Sequence, residues 1–430
     1  MAETARVILW LDRIALALVL VLPAFVLHTR AAGEIDIAVV GVLFLLRCAV
    51  LRDWAWLRAG WVRIAALWWG WQVVCSLPFI GIGGTASLVQ ALLMVRYLVF
   101  AAALENAVLA TPVARRWLQG VLVAAMLYIA GQCWLQLLTG RNLWGYPRYG
   151  DGSLSGPFYY PRAGAPLARL LPPTVLPWIA GLLEGGAVAG LGAAALAMLA
   201  IGTEVLIGQR MPTGLTVFAF VVAALLLPRL RRITLAAVAV GALVVGVSAV
   251  TPMLRPAYDH LVTKTVQQLA DFPDSDYGLI YLRAAIITLD HPLFGQGFDG
   301  YRNACPDKRY FRGWALSVAN PDGGGDKSCN IHPHNHYAEA ATNAGIPGLI
   351  LFGAMVWSWL ARLARGLGTR PDPTRVGLFA AVLINEWPIS SMGGFPVMES
   401  AGLFFLLLGY GLALSRSTDS TSPAGSRPST

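Results

Sequence analysis

Half of the histidines in this 430-residue chain fall within five positions, His332, His334 and His336, in the stretch IHPHNHYAEAATNAGIPGLILF (331–352). Alternating spacing on an extended approach would turn all three to one face. Imidazole near neutral pH serves as a general base or a metal ligand. Helical i, i+4 ligand spacing is missing, and no cysteines or carboxylates cluster with the histidines in a usual metal pattern. The general base is therefore preferred and no metal site is assigned. Asn335 is placed to orient the base or to bind a substrate hydroxyl. Glu339 lies between the histidines and a pair of glycines, Gly345 and Gly348, one helical turn apart, where small residues let a neighbouring helix or lipid chain approach.

The second group of chemical residues is cationic. The net charge is +9. Many arginines fall in short loops, as in Arg115–Arg116 and Arg229, Arg231 and Arg232, and follow the positive-inside pattern. Others break it: Arg141, Arg148, Arg162 and Arg169 in or beside one outer loop, Arg210 after the seventh span, and Arg283 in a second outer loop. Guanidinium forks match phosphate oxygens, so a group of outer arginines suits a diphosphate, with lipid headgroups or plain solvation as the alternative. The carboxylates Glu105, Glu204, Glu339 and Glu386 lie in or at the ends of apolar segments, where ionisable groups usually face the protein interior. Glu204, about a turn and a half before Arg210, is a candidate to orient that arginine.

The elements that position these residues are read from hydropathy. The chain is 57% hydrophobic and 13% charged, against roughly 25% charged in soluble domains. Its apolar runs are continuous and do not alternate, which indicates an all-α polytopic membrane protein and excludes a barrel. About twelve spans are expected, near 7–28, 36–50, 62–80, 86–109, 118–138, 167–185, 187–206, 213–228, 232–251, 337–361, 376–396 and 398–415. The first is read as a retained helix, because it lacks a small-residue cleavage site. Residues 1–251 thus hold nine spans with an outer loop at about 139–166. Residues 252–336 form a large outer loop that holds every lysine (Lys264, Lys308, Lys327). Residues 337–415 hold the last three spans, and 416–430 are expected to be a disordered tail. Arginine placement puts both termini in the cytoplasm. Cys305 and Cys329 share the large loop, where an oxidising compartment would allow a disulfide, with two free thiols as the alternative. Nucleic-acid binding is not supported, since the basic residues are topological or outer-facing.

Two motifs carry a family resemblance. His334–Asn335, nine residues and then GIPG (345–348), together with RAAIITLDHPLFGQGFDGY (283–301) upstream, resembles the O-antigen ligase and O-antigen polymerase superfamily. So does the layout of about twelve spans with a large loop between the ninth and tenth. The resemblance implies a bacterial inner-membrane, metal-independent, inverting glycosyltransferase of the membrane C-type architecture, using no nucleotide sugar and no cofactor. The implied donor is a glycan on undecaprenyl diphosphate, and for the ligases the acceptor is a sugar hydroxyl of the lipid A–core. His334 maps to the family's essential histidine, and Arg210 and Arg283 to its donor-binding arginines. Arg162, in GPFYYPRAG (156–164), is a candidate to complete the pocket, with a packed interfacial loop as the alternative. O-antigen polymerase and protein O-oligosaccharyltransferase share these motifs. A transporter of lipid-linked glycans is the non-enzymatic alternative, although no internal repeat of the kind such folds carry is evident.

Overall fold

The computed structural model describes residues 2–421 except Leu316, Val318 and Arg370. Among the described residues it is helical, with no β-sheet. The membrane part opens with α1 (Ala2–His28), α2 (Arg30–Leu51), α3 (Gly60–Cys75), α4 (Gly84–Leu93) and α5 (Val95–Ala103). It continues with α6 (Pro112–Thr139), α7 (Gly164–Leu182), α8 (Ala187–Ile207), α9 (Arg210–Leu226) and α10 (Arg231–Ser248). A long connection follows, holding the short helices α11 (Arg255–Tyr258) and α12 (Lys264–Ala270), the longer α13 (Asp276–Asp290) and the single turn α14 (Gly300–Ala304). The chain then forms α15 (His336–Ala364), α16 (Pro373–Asn385) and α17 (Met398–Thr421).

The protein is a polytopic helical membrane protein. Seven helical stretches among the described residues are long and apolar enough to cross a bilayer: Glu3–His28, Gly84–Val108, Pro112–Thr139, Ala187–Ile207, Pro228–Ser248, His336–Ala364 and Met398–Ser417. The apolar α9 and α16 are shorter, and α2 carries Arg30, Glu34, Asp36 and Arg47. Local chemistry sets several starts. Thr111 caps α6 ahead of Pro112, Ser275 caps α13 and Asp372 caps α16 ahead of Pro373. In each case a side-chain oxygen accepts an otherwise unpaired amide.

The helices pack in pairs, α3 along α15, α7 along α16, α1 along α2 and α8 along α10. The centre is α17. Its most apolar window is 89% buried, against 22% for the equivalent windows of the first span and of Pro228–Ser248. Trp359, Phe404 and Phe405 meet there, and the Tyr97 ring stacks on Phe405. Edge-to-face aromatic contacts of this kind add to simple burial.

Three expectations about these elements are corrected. The expected span 376–396 stops as a helix at Asn385, and 386–397 is irregular. The signal was present in WPISSMGGFP (387–396), with two prolines and a glycine pair that oppose a continuous helix. The tail expected to be disordered from 416 is helical over its first residues, because α17 runs on through 416–421; 422–430 lie outside the described residues. Finally, α15 is not one continuous rod. Ala344 and Gly345 have non-helical backbone, with Gly345 at φ +67°.

That break joins the two sequence motifs. The turn of DHPLFGQG (290–297) enters it, with the Ile346 amide donating to Pro292 O at 2.7 Å, Gln296 N to Thr342 O at 2.9 Å and Gly297 N to Asn343 O at 2.9 Å. A side chain on Gly345 would sit 2.5 Å from Leu293 O, and one on Gly295 would sit 2.6 Å from Ala344 N. Both are glycine because two backbones meet here and because both have positive φ. Gly345 therefore does not present a small face to lipid. It is where the large loop locks onto α15. From the other side the Trp71 indole donates to Ala344 O at 2.9 Å, and the Phe298 amide donates to Ser76 Oγ at 2.9 Å.

Candidate active site

Asn335 caps α15. Its Oδ1 accepts from the amides of Tyr337 and Ala338, both at 3.0 Å. Its Nδ2 donates to Pro388 O at 2.7 Å. With both ends of the amide engaged, Asn335 neither orients His334 nor offers a group to substrate. It starts the helix and holds the 386–397 segment.

The three histidines do not share a face. His334 has φ +54°, a left-handed conformation that is uncommon outside glycine, and this breaks the alternation. Its carbonyl accepts from the Met392 amide at 2.9 Å, which holds the unusual backbone in place. His336 turns inward instead. Its Nδ1 lies 3.1 Å from Glu386 Oε2 and its Nε2 lies 3.0 Å from Gly393 O. Both nitrogens face acceptors, so His336 anchors the 386–397 segment rather than awaiting a proton. Glu339 is buried, and its Oε2 accepts from the Phe395 amide at 2.8 Å. His336, Glu339 and Asn335 thus all grip one segment. Gly348 lies past the break, where a side chain would collide with Ala344 Cβ.

His332 and His334 remain together, half-buried, ring centres 4.5 Å apart. Tyr277, from α13, meets His334 edge-on at 5.7 Å, and Ser391 donates to the Tyr277 hydroxyl oxygen at 2.9 Å. The Asn330 amide nitrogen is 2.8 Å from His334 Nε2. Burial pushes both imidazoles below the ordinary histidine range. His332 falls to about 4, lowered further by its two histidine neighbours. His334 is also lowered by burial, partly opposed by a hydrogen bond between its ring and the Met392 backbone. Loss of water disfavours the charged ring, so His334 is held neutral with a basic nitrogen. Among the described residues no three His, Cys, Asp or Glu side chains come together as a metal-binding group.

The arginines separate into two kinds. Arg283 is buried, donating to Cys305 O at 2.8 Å and to Gly323 O and Gly325 O at 3.3 and 3.4 Å, with its guanidinium over the Phe311 ring. These carbonyls take the place a diphosphate would need, so Arg283 is an internal tie of the large loop. Cys305 and Cys329 beside it form a disulfide, with Cα atoms 5.6 Å apart. Arg148 likewise donates to Met253 O and Leu137 O, and Arg141 to Gly145 O. Arg169 is buried against Ser400 Oγ at 2.8 Å and Met392 Sδ at 3.2 Å.

Arg210 and Arg162 keep contact with solvent. Arg210 sits at the first turn of α9 and donates to the Gln268 side chain of α12. Glu204 does not orient it. That carboxylate is fully buried beneath Gly164 at the start of α7, with no hydrogen-bond partner among the described residues. Arg162 lies over the Tyr160 ring and 3.6 Å from Glu399. A cavity between the first turns of α7 and α9 and the 386–397 segment is lined by Arg169, Met211, Pro212, Ser391 and Met392. It connects the residue next to Arg210 with the residue that holds His334.

Sequence reading missed Asn330 and Tyr277 as neighbours of His334, and the role of Glu386 beyond that of an intramembrane acid. An asparagine four residues before a histidine in a loop carries no spacing signal.

Residues 195–353 match the family model described as O-antigen ligase. This supports membership of the O-antigen ligase superfamily, and with it an enzyme of the ligase or polymerase type. The matched region runs from within α8 past the break in α15 and includes Arg210, Arg283 and His334; Arg162, Arg169 and the 386–397 segment lie outside it. No curated protein matches the chain.

Proposed function

We propose that this member of the O-antigen ligase superfamily transfers a glycan from undecaprenyl diphosphate to a sugar hydroxyl of the lipid A–core, at the periplasmic face of the bacterial inner membrane. The observation that carries the reading is His334. Its proton affinity is lowered by burial, its strained backbone conformation is locked by Met392, and Met392 also lines the cavity beside Arg210. Strained residues held by their surroundings concentrate at functional sites.

The chemistry follows from these groups. The acceptor hydroxyl gives its proton to His334 as its oxygen attacks the sugar C1. The bond from C1 to the diphosphate oxygen breaks, and undecaprenyl diphosphate leaves with the electron pair. Attack from the face opposite the leaving group inverts the anomeric centre. Charge growing on the diphosphate is met by Arg210 and Arg162, the two cations here that remain open to a ligand from solvent or bilayer. A lipid-linked donor enters from the bilayer, which suits a site at the outer ends of α7, α9 and α15. No metal ion is required in this scheme, because the leaving group is already activated and the arginines supply the positive charge.

The test is the product. Purified protein in liposomes receives the lipid-linked glycan with or without rough lipopolysaccharide, in EDTA. Glycan joined to lipopolysaccharide is the expected result. Longer lipid-linked chains without lipopolysaccharide transfer would assign the protein to the polymerases. Glycan moved across the bilayer without a new bond would make it a transporter.

A further inference from the structure

We propose that Asn330 stands in for the acceptor hydroxyl. In the resting protein its side-chain amide occupies the hydrogen-bonding seat on His334 Nε2 that the acceptor must take. The inference rests on the proposed role of His334 as base.

The direction of this contact is set by the other end of the amide. Asn330 Oδ1 accepts from the Ile331 amide at 2.7 Å. A flipped amide would set two donors against each other there, so Nδ2 faces the imidazole, 2.8 Å from Nε2. Nδ2 has only protons to offer. His334 Nε2 must therefore accept, and the ring proton resides on Nδ1. This has two consequences. Asn330 selects the tautomer whose lone pair lies on Nε2, which makes Nε2 the basic atom. It also covers that lone pair with a donor of the same polarity as an acceptor O–H.

The amide is built to give way. It lies in a surface loop, next to the exposed Ile331 and one residue after Cys329, whose disulfide fixes the backbone. Rotation of one side chain vacates the seat while the chain stays in place. Exchange of an amide N–H for a hydroxyl O–H keeps the lone pair satisfied throughout, so an empty site does not leave a bare base open to water or to protonation. The remaining surroundings of His334 are His332 at its edge, Tyr277 from α13, Ser391 and Met392 from the 386–397 segment, Arg169 behind Met392, and His336 with Glu386 below. Of these, Met392 meets the ring through its backbone, and His332 and Tyr277 meet it edge-on.

Two variants test the proposal in the reconstituted transfer assay, with acceptor concentration and pH both varied. Asn330→Ala uncovers Nε2. The acceptor KM should fall about three- to tenfold, the size of one net hydrogen bond, kcat should drop by no more than about twofold as tautomer selection is lost, and the acidic limb of the pH profile should move up slightly. Asn330→Asp is nearly isosteric but accepts rather than donates. It draws the ring proton to Nε2, so kcat at neutral pH should fall about 100-fold and the acidic limb should move up by more than in Asn330→Ala. Equal loss of kcat in both variants, with acceptor KM unchanged or raised, would overturn the proposal and leave Asn330 a structural residue. Loss of transfer in the wild type itself would sink the functional reading instead, so the two failures are distinct.

Discussion

At the scale of single residues, His334 carries a strained backbone and a suppressed proton affinity, and these separate in experiment. Either His334→Ala or His334→Gly removes the base, so both should lose transfer by about 100-fold or more. Only glycine relieves the left-handed conformation at φ +54°. The Gly variant should therefore be more stable than the Ala variant by about 1 kcal/mol, read as a difference in thermal midpoint. Equal stability would mean that the backbone is not strained.

The pH dependence follows from the same residue pair. Burial lowers both imidazoles, so the folded protein binds fewer protons than the unfolded chain below the ordinary histidine value near 6.5. Stability attributable to His332 is therefore complete above about pH 6.5 and declines as pH falls toward about 4. His332→Gln should flatten that decline in thermal melts. For catalysis the sign is favourable at mild acidity: transfer should persist below pH 6.5, because His334 stays neutral there. An acidic limb of kcat/KM at or above 6.5 would contradict a buried base.

Between residue and fold stand the elements, and here the sequence was legible in part. Hydropathy located a helix at each of the twelve expected places, because burial in lipid or in a core leaves a long apolar record. It did not reveal the break in α15, since A-G-I-P-G is still apolar enough to read as span. The reason for Gly345 lies in another part of the chain, at Leu293, and no local pattern reports it. Nor did it reveal that Arg283 binds carbonyls. A guanidinium meets phosphate and peptide oxygens with the same geometry, so the residue type alone does not choose. Gly345→Ala should destabilise the protein by about 2–3 kcal/mol through clash and positive φ, and should free the 290–297 turn for faster hydrogen exchange at the Gln296 and Gly297 amides. Protection unchanged at those two amides would mean that the turn does not depend on the break.

At the scale of the whole molecule, orientation in the membrane and the loop disulfide can each be tested. Every lysine lies in the 252–336 connection. If that region is periplasmic, as the arginine pattern of the other loops implies, a membrane-impermeant amine reagent should label the three lysines in intact spheroplasts. The N-terminal amine should react only after lysis. The reverse pattern would invert the orientation and place His334 in the cytoplasm. Within the same loop, Cys305 and Cys329 close a ring with a sequence separation of 24. Replacing both by serine should cost the loop about 3–4 kcal/mol of stability and loosen the segment that presents Asn330, His332 and His334. Retained thermal stability in the double variant would show that Arg283 and its carbonyls hold the loop without the bond.

The central claim is that His334 removes a proton from the acceptor in a glycosyl transfer, and single-turnover kinetics test it most directly. Purified protein in liposomes, preloaded with lipid-linked glycan, would be mixed with rough lipopolysaccharide, comparing wild type with His334→Ala across pH 5 to 9. The account predicts transfer by the wild type with one acidic limb below the ordinary histidine range. His334→Ala should transfer at least about 100-fold more slowly, with no histidine-like limb. Transfer by His334→Ala at a wild-type rate, or with the same acidic limb, would contradict it.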